Sequence, residues 1–328
     1  MRALFLSASA LLALSACSAS DDIAPADAGE EAAGADTAEE ASTADDAQDN
    51  AAGLPANDIA VAELTWIDGQ PVLGTPEVVT ARSNYDNQPA FDSSGGFYFT
   101  TETSGANTDI HYRSANGDIR VITRTPDESE YSPRPSPDGR SVTYIHQPPG
   151  QVGGQAWRQR LEGGSTAPIH DYGPAGYYAL SGDQSQLLLF ALTDPFTLLW
   201  VDIENGRRAE ITTGIGRALY TSPDGNSAYF TLPQSDGSWT VNRFGFAGQT
   251  VSELFALPGE TQDYAVFTTP EGELGWFTAA DGQLLFRTSD NAEWTAVADL
   301  SPLGSGAVTR LAVSPSADRM AFVVEEAG

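Results

Sequence analysis

Residues 131–145 read YSPRPSPDGRSVTYI. A short extended run ends in Ser136-Pro137-Asp138-Gly139, and apolar residues then recur at Val142, Tyr144 and Ile145. Proline presets φ at a turn position, aspartate accepts hydrogen bonds from nearby backbone N–H groups, and glycine takes positive φ. The stretch therefore predicts two strands joined by a tight turn. A second good copy, TSPDGNSAYF, occupies 221–230. Related turns begin at Ser93 (SSGG), Ser181 (SGDQ), Thr269 (TPEG) and Ser314 (SPSAD). In chain order the six turns are spaced by 43, 45, 41, 47 and 45 residues.

Each turn sits between apolar or alternating runs, such as GYYALS (176–181) before and QLLLFA (186–191) after. A third run follows, for example DIHYRS (109–114), AWRQRL (156–161) or WTVNRFGF (239–246). A fourth comes after a Gly- or Asn-bearing turn, as in IRVIT (119–123), AEITT (209–213) and VSELFAL (251–257). Period-2 alternation over short runs marks half-buried strands, and a repeat near 44 residues with four strands describes one blade of a β-propeller. The sixth turn has only two strands, one on either side of it, before the chain ends. The missing third and fourth are expected at the other end of the body, from IAVAELTW (59–66), a turn at Asp68-Gly69 and PEVVTAR (76–82). The sequence thus predicts an all-β, six-bladed propeller whose last blade is closed by N-terminal and C-terminal strands, leaving no free sheet edge in the ring. A β-sandwich has no reason to repeat one turn six times.

The first 57 residues differ from this body. One basic residue, Arg2, precedes a short apolar run, Ala3–Ala13, and then Leu14-Ser15-Ala16-Cys17, with the only cysteine of the chain. The run is too short to span a bilayer, which takes about 20 apolar residues, and fits a secretory signal. Residues 18–57 carry 11 acidic residues, no basic residue and no aromatic. Such a segment cannot bury enough apolar surface to offset its ordering entropy. We read residues 1–16 as a signal peptide, 17–57 as an acidic disordered tether with a reach of roughly 35 Å, and 58–328 as the propeller.

Composition narrows the function. The chain of 328 residues has a formal net charge of −29, and all 16 of its basic residues are arginine. Nucleic-acid binding needs a basic face for phosphate, so no nucleic-acid partner is expected. Anionic lipid headgroups would repel the body as well. A single cysteine excludes an intrachain disulfide.

The L-S-A-C tetrad resembles the lipobox of bacterial lipoproteins. That resemblance implies cleavage before Cys17, acylation of its thiol and attachment to a membrane through that lipid. Ser18, in place of the aspartate that retains many such proteins at the inner membrane, implies the outer membrane, facing the periplasm. The copies at 131–145 and 221–230 resemble the TolB-type, WD-like propeller repeat, and the resemblance covers residues 58–328. TolB carries an additional α/β domain ahead of its propeller and is not lipid-anchored. Residues 18–57 encode no such domain, so orthology with TolB is not implied, nor is its partner, the peptidoglycan-associated lipoprotein. Prolyl peptidases share the propeller but add a hydrolase domain with a G-x-S-x-G elbow, and no G-x-S-x-G occurs here.

Site signals are sparse. Arg134, Arg217 and Arg310 fall in first strands, which face the propeller axis, so they are candidates to present guanidinium groups to a carboxylate or phosphate. Pairing with acidic neighbours is the competing role, and in a body this acidic the one we favour. Arg134 and Arg310 lie two and four residues before their turns and so share strand parity. His111, His146 and His170 fall at different radii, and no common metal site is expected from them. Asp138 and Asp224 are expected to hold their turns rather than bind calcium, since each turn supplies one carboxylate. Tyr177, Tyr178, Trp157, Trp239 and Trp294 are expected chiefly to pack between blades, with a few available to a protein partner. The resulting expectation is a non-catalytic envelope module without a cofactor, binding a protein or cell-wall ligand. The rival is a propeller hydrolase or lyase acting on an envelope carbohydrate or lactone.

Overall fold

The computed structural model describes residues 54–104, 107–289, 293–304 and 308–325, with Ser104 described by its backbone alone. The signal segment, Cys17 and the tether up to residue 53 lie outside the described residues.

The described chain forms six antiparallel sheets. Blade 1 takes Asp86–Phe91, Phe97–Ser104, Asn107–Arg113 and Ile119–Val121 in that spatial order. Blades 2 to 5 repeat this order, with innermost strands Ser129–Pro135, Ala175–Leu180, Leu219–Thr221 and Ala265–Thr268. Innermost strands of neighbouring blades touch around the axis, and the outer strands are exposed.

Blade 6 joins the two ends of the body. Val308–Val313 and Arg319–Glu325 supply its inner strands, and Asn57–Ile67 pairs with the latter from Asn57↔Glu325 to Glu63↔Arg319. The Trp66 indole N–H donates to the Ala317 carbonyl at 2.7 Å, which ties the N-terminal strand to the sixth turn. The strand begins one residue inside the stretch assigned to the tether. The fourth strand departs from the expectation. Gln70–Leu73 pairs with the end of Asn57–Ile67, and only Glu77–Val78 of the PEVVTAR segment pairs with its middle. Gly74, Thr75 and Pro76 separate the two pieces. Proline lacks the ladder N–H, so the outer edge is broken where Pro76 falls.

The core is a set of slabs between blades. Phe190, Trp200, Phe230 and Phe244 join blades 3 and 4, and Phe267, Phe277, Phe286 and Phe322 join blades 5 and 6. Ile59, Phe97, Phe99 and Val323 join blade 6 to blade 1, so apolar burial closes the ring as well as the β-ladder. Burying each such side chain contributes about 1.5–3 kcal/mol. The slab between blades 1 and 2 is the smallest: Tyr98, Ile110, Val142 and Tyr144 are its buried members.

The turns show why the motif repeats. Ser136 Oγ donates to Asp138 Oδ1 at 2.6 Å and accepts the Ser141 N–H at 2.9 Å, while Asp138 Oδ1 accepts the Arg140 N–H at 3.0 Å. Ser181 with Asp183 and Ser222 with Asp224 make the same set. Gly139, Gly225, Gln184 and Ala317 occupy the positive-φ position, with φ between 53° and 72°. The first turn is displaced by one residue from the expected frame. Gly95 N–H donates to the Asp92 carbonyl as Gly139 N–H does to Ser136, so Asp92, not Ser93, opens it. The Asp92 carboxylate accepts the N–H groups of Ser94 and Gly96, which lets one side chain stand in for the Ser–Asp pair.

Candidate functional site

Innermost strands bend where they approach the axis. Register shifts fall between Asn87 and Ala90, Tyr131 and Arg134, and Thr309 and Ala312. Gln88, Ser132 and Arg310 sit inside these bulges, with φ of 57°, 56° and 49°. A bulge inserts an unpaired residue and re-aims the side chains beside it. Arg134 and Arg310 therefore do not share a face by simple alternation, since a bulge separates their positions. They meet because both line the same narrow neck on the axis, together with Arg217, Tyr177 and Tyr220. Arg217 lies two residues before Leu219–Thr221 rather than within a strand.

The neck is crossed by side chains from non-adjacent blades. Arg310 of blade 6 donates to the Tyr177 hydroxyl of blade 3 at 2.7 Å, with its guanidinium 4.9 Å from the Tyr177 ring centroid. Arg134 of blade 2 stacks 4.8 Å from the Tyr220 ring of blade 4. Arg217 donates to Asp263 Oδ2 at 2.9 Å, and Arg310 lies 4.0 Å from Asp263 Oδ1. Burial alone would raise the Asp263 carboxyl, but the Arg217 and Arg310 guanidiniums outweigh it and hold it below the usual carboxylate range. The expected pairing with acid thus holds for Arg217 and Arg310. Among the described residues no carboxylate lies within ion-pair distance of Arg134, which is half-buried.

Above the neck, on the face carrying the Ser-Pro-Asp-Gly turns, the axis opens into a cavity of about 580 Å³. Pro137, Ser181, Pro223 and Pro315 of four turns rim it, and Arg134, Tyr178 and Tyr220 line it. Tyr178 is fully buried, and its hydroxyl donates to Thr143 Oγ1 at 2.7 Å. The mouth was legible only as a set of turns. Its closure below by Arg310 and Tyr177 had no signal in the sequence, since it depends on which blades face each other across the axis.

The three histidines stay apart. His111 packs edge-on against Phe99 in blade 1, and burial lowers its pKa. His146 meets Glu128 at 3.0 Å in blade 2. His170 falls just beyond the outer strand Thr166–Pro168, where its Nδ1 accepts the Tyr172 N–H. None lines the neck or the mouth. Tyr177, Tyr178 and Trp239 are buried between blades, as packing residues. Trp294 meets Phe255 edge to face, with ring centroids 5.8 Å apart.

Solved structures with this architecture define the class: a TolB-like six-bladed propeller. A protein assigned as TolB from Agrobacterium tumefaciens superposes with a TM-score of 0.59 at 16% identity, covering 84% of this chain and 100% of that one. TolB from Acinetobacter baumannii gives 0.52 at 13% identity, over 83% of this chain and 64% of that one. An oligogalacturonate lyase from Vibrio parahaemolyticus gives 0.50 at 11% identity, over 82% and 98%. Identities this low establish the shared fold alone, and they agree with the absence of TolB orthology. No protein-family model and no curated protein sequence matches the chain.

Proposed function

We propose that this chain is a cell-envelope lipoprotein whose propeller is a non-catalytic binding module. The observation that carries the reading is the blind, arginine-floored mouth on the turn face. It encloses about 580 Å³, its rim is proline-rich, and Arg134 stacks at its base without a carboxylate of its own. A guanidinium held on an aromatic face is preorganised for a carboxylate. The ligand is then a segment of an envelope protein that places an acidic side chain or a C-terminus against Arg134. The lipid on Cys17 anchors the chain, with the outer membrane as its site and the periplasm as the compartment the body faces. The hydrolase or lyase reading draws no support from the histidines, none of which reaches the mouth.

Two measurements test this. Photo-crosslinking residues placed at Thr221, on the mouth, and at Val251, on an outer strand, are compared in intact cells. Adducts from position 221 alone, lost when Arg134→Gln is added, support the reading. Equal adducts at both positions overturn it. Incorporation of labelled fatty acid that survives Cys17→Ala removes the anchor from the proposal.

A further inference from the structure

The seam between blades 1 and 2, whose apolar slab is the smallest, also buries a group of polar side chains. Thr108, Asp109, Thr123, Ser129 and Glu130 are all buried there. Thr108 N–H donates to Ser129 Oγ, and Thr108 Oγ1 to the Glu130 carbonyl, so the two blades are stitched by hydrogen bonds. Within this seam Glu130 is completely buried. Both its carboxylate oxygens accept from the Thr125 hydroxyl at 2.8 Å. No arginine or histidine is recorded within ion-pair distance of it among the described residues. A buried carboxylate without a counter-charge is costly. Burial, outweighing the Thr125 and Thr123 hydroxyls, pushes its pKa up to about 7.

The strand geometry brings two further donors to the same spot. Glu130 is the second residue of the strand Ser129–Pro135 and lies directly across the ladder from His146. Directly opposed residues in an antiparallel pair project to one face. Glu128 lies one residue before the strand begins, beside the same pair. Its Oε2 reaches His146 Nε2 at 3.0 Å, and the His146 ring is backed by Trp157 with centroids 4.4 Å apart. One atom each from Glu128, Glu130 and His146 lies within 4.8 Å of the others. Donors around a transition ion at 2.0–2.2 Å are about 3–4 Å apart, so closure asks only for a small movement of the half-exposed Glu128.

We propose that Glu128, Glu130 and His146 form a binding site for a divalent transition ion, of the Zn²⁺ or Mn²⁺ type, at the seam of blades 1 and 2. An imidazole nitrogen with two carboxylates suits these ions, whereas calcium prefers oxygen donors alone. The ion supplies the positive charge that Glu130 lacks and ties the innermost strand of blade 2 to its second strand. The site lies at the end of blade 2 remote from the Ser136 turn, since His146 is at the far end of Ser141–Gln147. It is thus separate from the mouth, and its occupancy carries no implication of catalysis.

The test uses the purified full chain stripped with a chelator and titrated with ZnCl₂ alone, then with CaCl₂ alone. One equivalent of Zn²⁺ is expected to bind and to raise the melting temperature, with Ca²⁺ giving no shift. Glu128→Gln and His146→Gln are each expected to weaken Zn²⁺ binding at least tenfold, and His170→Gln to leave it unchanged. Glu128 is partly exposed, so its variant remains folded and readable even if Glu130→Gln does not. Absence of saturable Zn²⁺ binding overturns the proposal. So does binding that survives Glu128→Gln and His146→Gln, or binding lost with His170→Gln.

Discussion

Arg217 and Asp263 form an ion pair at 2.9 Å, with 16% and 4% of their side chains exposed, across the join between blades 4 and 5. The Gln262 side-chain carbonyl accepts the Arg217 N–H at 2.7 Å at the same place. Removing one partner of a buried pair leaves an uncompensated charge, which costs about 3–5 kcal/mol. Here Asp263 faces both Arg217 and Arg310. Asp263→Asn is therefore expected to lower stability by about that amount, read as a fall in the urea midpoint at unchanged slope. A loss below about 1 kcal/mol would mean that water screens the pair as it does at a surface.

The same carboxylate sets an acid limit. Its folded pKa lies below the ordinary value near 3.9 because the two guanidiniums outweigh burial. In the window between the two values the unfolded chain binds more protons, so stability rises with pH there. The contribution is complete above the ordinary value and is lost as pH falls through the lowered one. The stability gap between the native chain and Asp263→Asn is expected to be full at pH 7 and to shrink below about pH 4. Urea titrations of both proteins at several pH values measure it. A gap that widens in acid contradicts the assignment.

At the rim of the mouth, the turns of blades 3 and 4 touch through two glycines. The Gly182 N–H donates to the Gly225 carbonyl at 2.9 Å. A Cβ on Gly225 would lie 2.5 Å from the Gly182 Cα, and its φ is +72°. At Gly139, φ is +66° but nothing lies within 4 Å of an added Cβ. Gly139→Ala is expected to cost about 1–2 kcal/mol from backbone strain alone. Gly225→Ala is expected to cost more and to disturb the mouth. Equal losses in thermal melts would show that the rim yields freely.

Within one turn the hydroxyl matters more than the carboxylate. Ser222 Oγ is the side-chain acceptor for the buried Ser227 N–H. Ser222→Ala removes that acceptor at a buried position and is expected to cost about 1–3 kcal/mol. Asp224→Ala, at an exposed position of the same turn, should fall well short of this. Chemical denaturation of the two variants ranks them, and the reverse order would remove the hydroxyl from its central place.

What the sequence disclosed followed range of interaction. Ser-Pro-Asp-Gly acts within five residues, so its copies announced the turns, and four strands per turn announced the blades. Closure by opposite ends followed from counting. Bulges at Gln88, Ser132 and Arg310 put non-glycine residues at positive φ, where no local residue preference marks them. The break at Pro76 was visible as a proline, but only the ladder shows that Gln70–Leu73 had already taken the outer edge. The three arginines were placed near the axis because first strands face it, while the parity argued for Arg134 and Arg310 fails at the bulge, and the partnership of Arg310 with Tyr177 joins blades 6 and 3 across 133 residues. His146 was set aside with the other histidines because only histidine was counted. Its neighbours Glu128 and Glu130 precede the run YSPRPS (131–136) from which the strand was read, and only the observed start at Ser129 brings Glu130 into the ladder opposite His146.

The ring depends on one strand contributed from the far end of the body. Asn57–Ile67 covers the edge of Arg319–Glu325 and buries Ile59 against Phe97 and Phe99 of blade 1. A chain beginning at residue 74 loses this strand and Gln70–Leu73, leaving an apolar sheet edge and two uncovered slabs. An exposed edge of that kind recruits other chains. The truncated protein is expected to melt at a lower temperature and to self-associate in size-exclusion chromatography. A synthetic peptide of residues 54–73, added in trans, supplies the same ladder and should restore a monomer in a one-to-one complex. A peptide with Ile59 and Val61 replaced by Asp keeps its length but not its buried face, and it should fail. If the truncated chain keeps the native melting temperature and remains a monomer, the N-terminal strand decorates the ring without closing it.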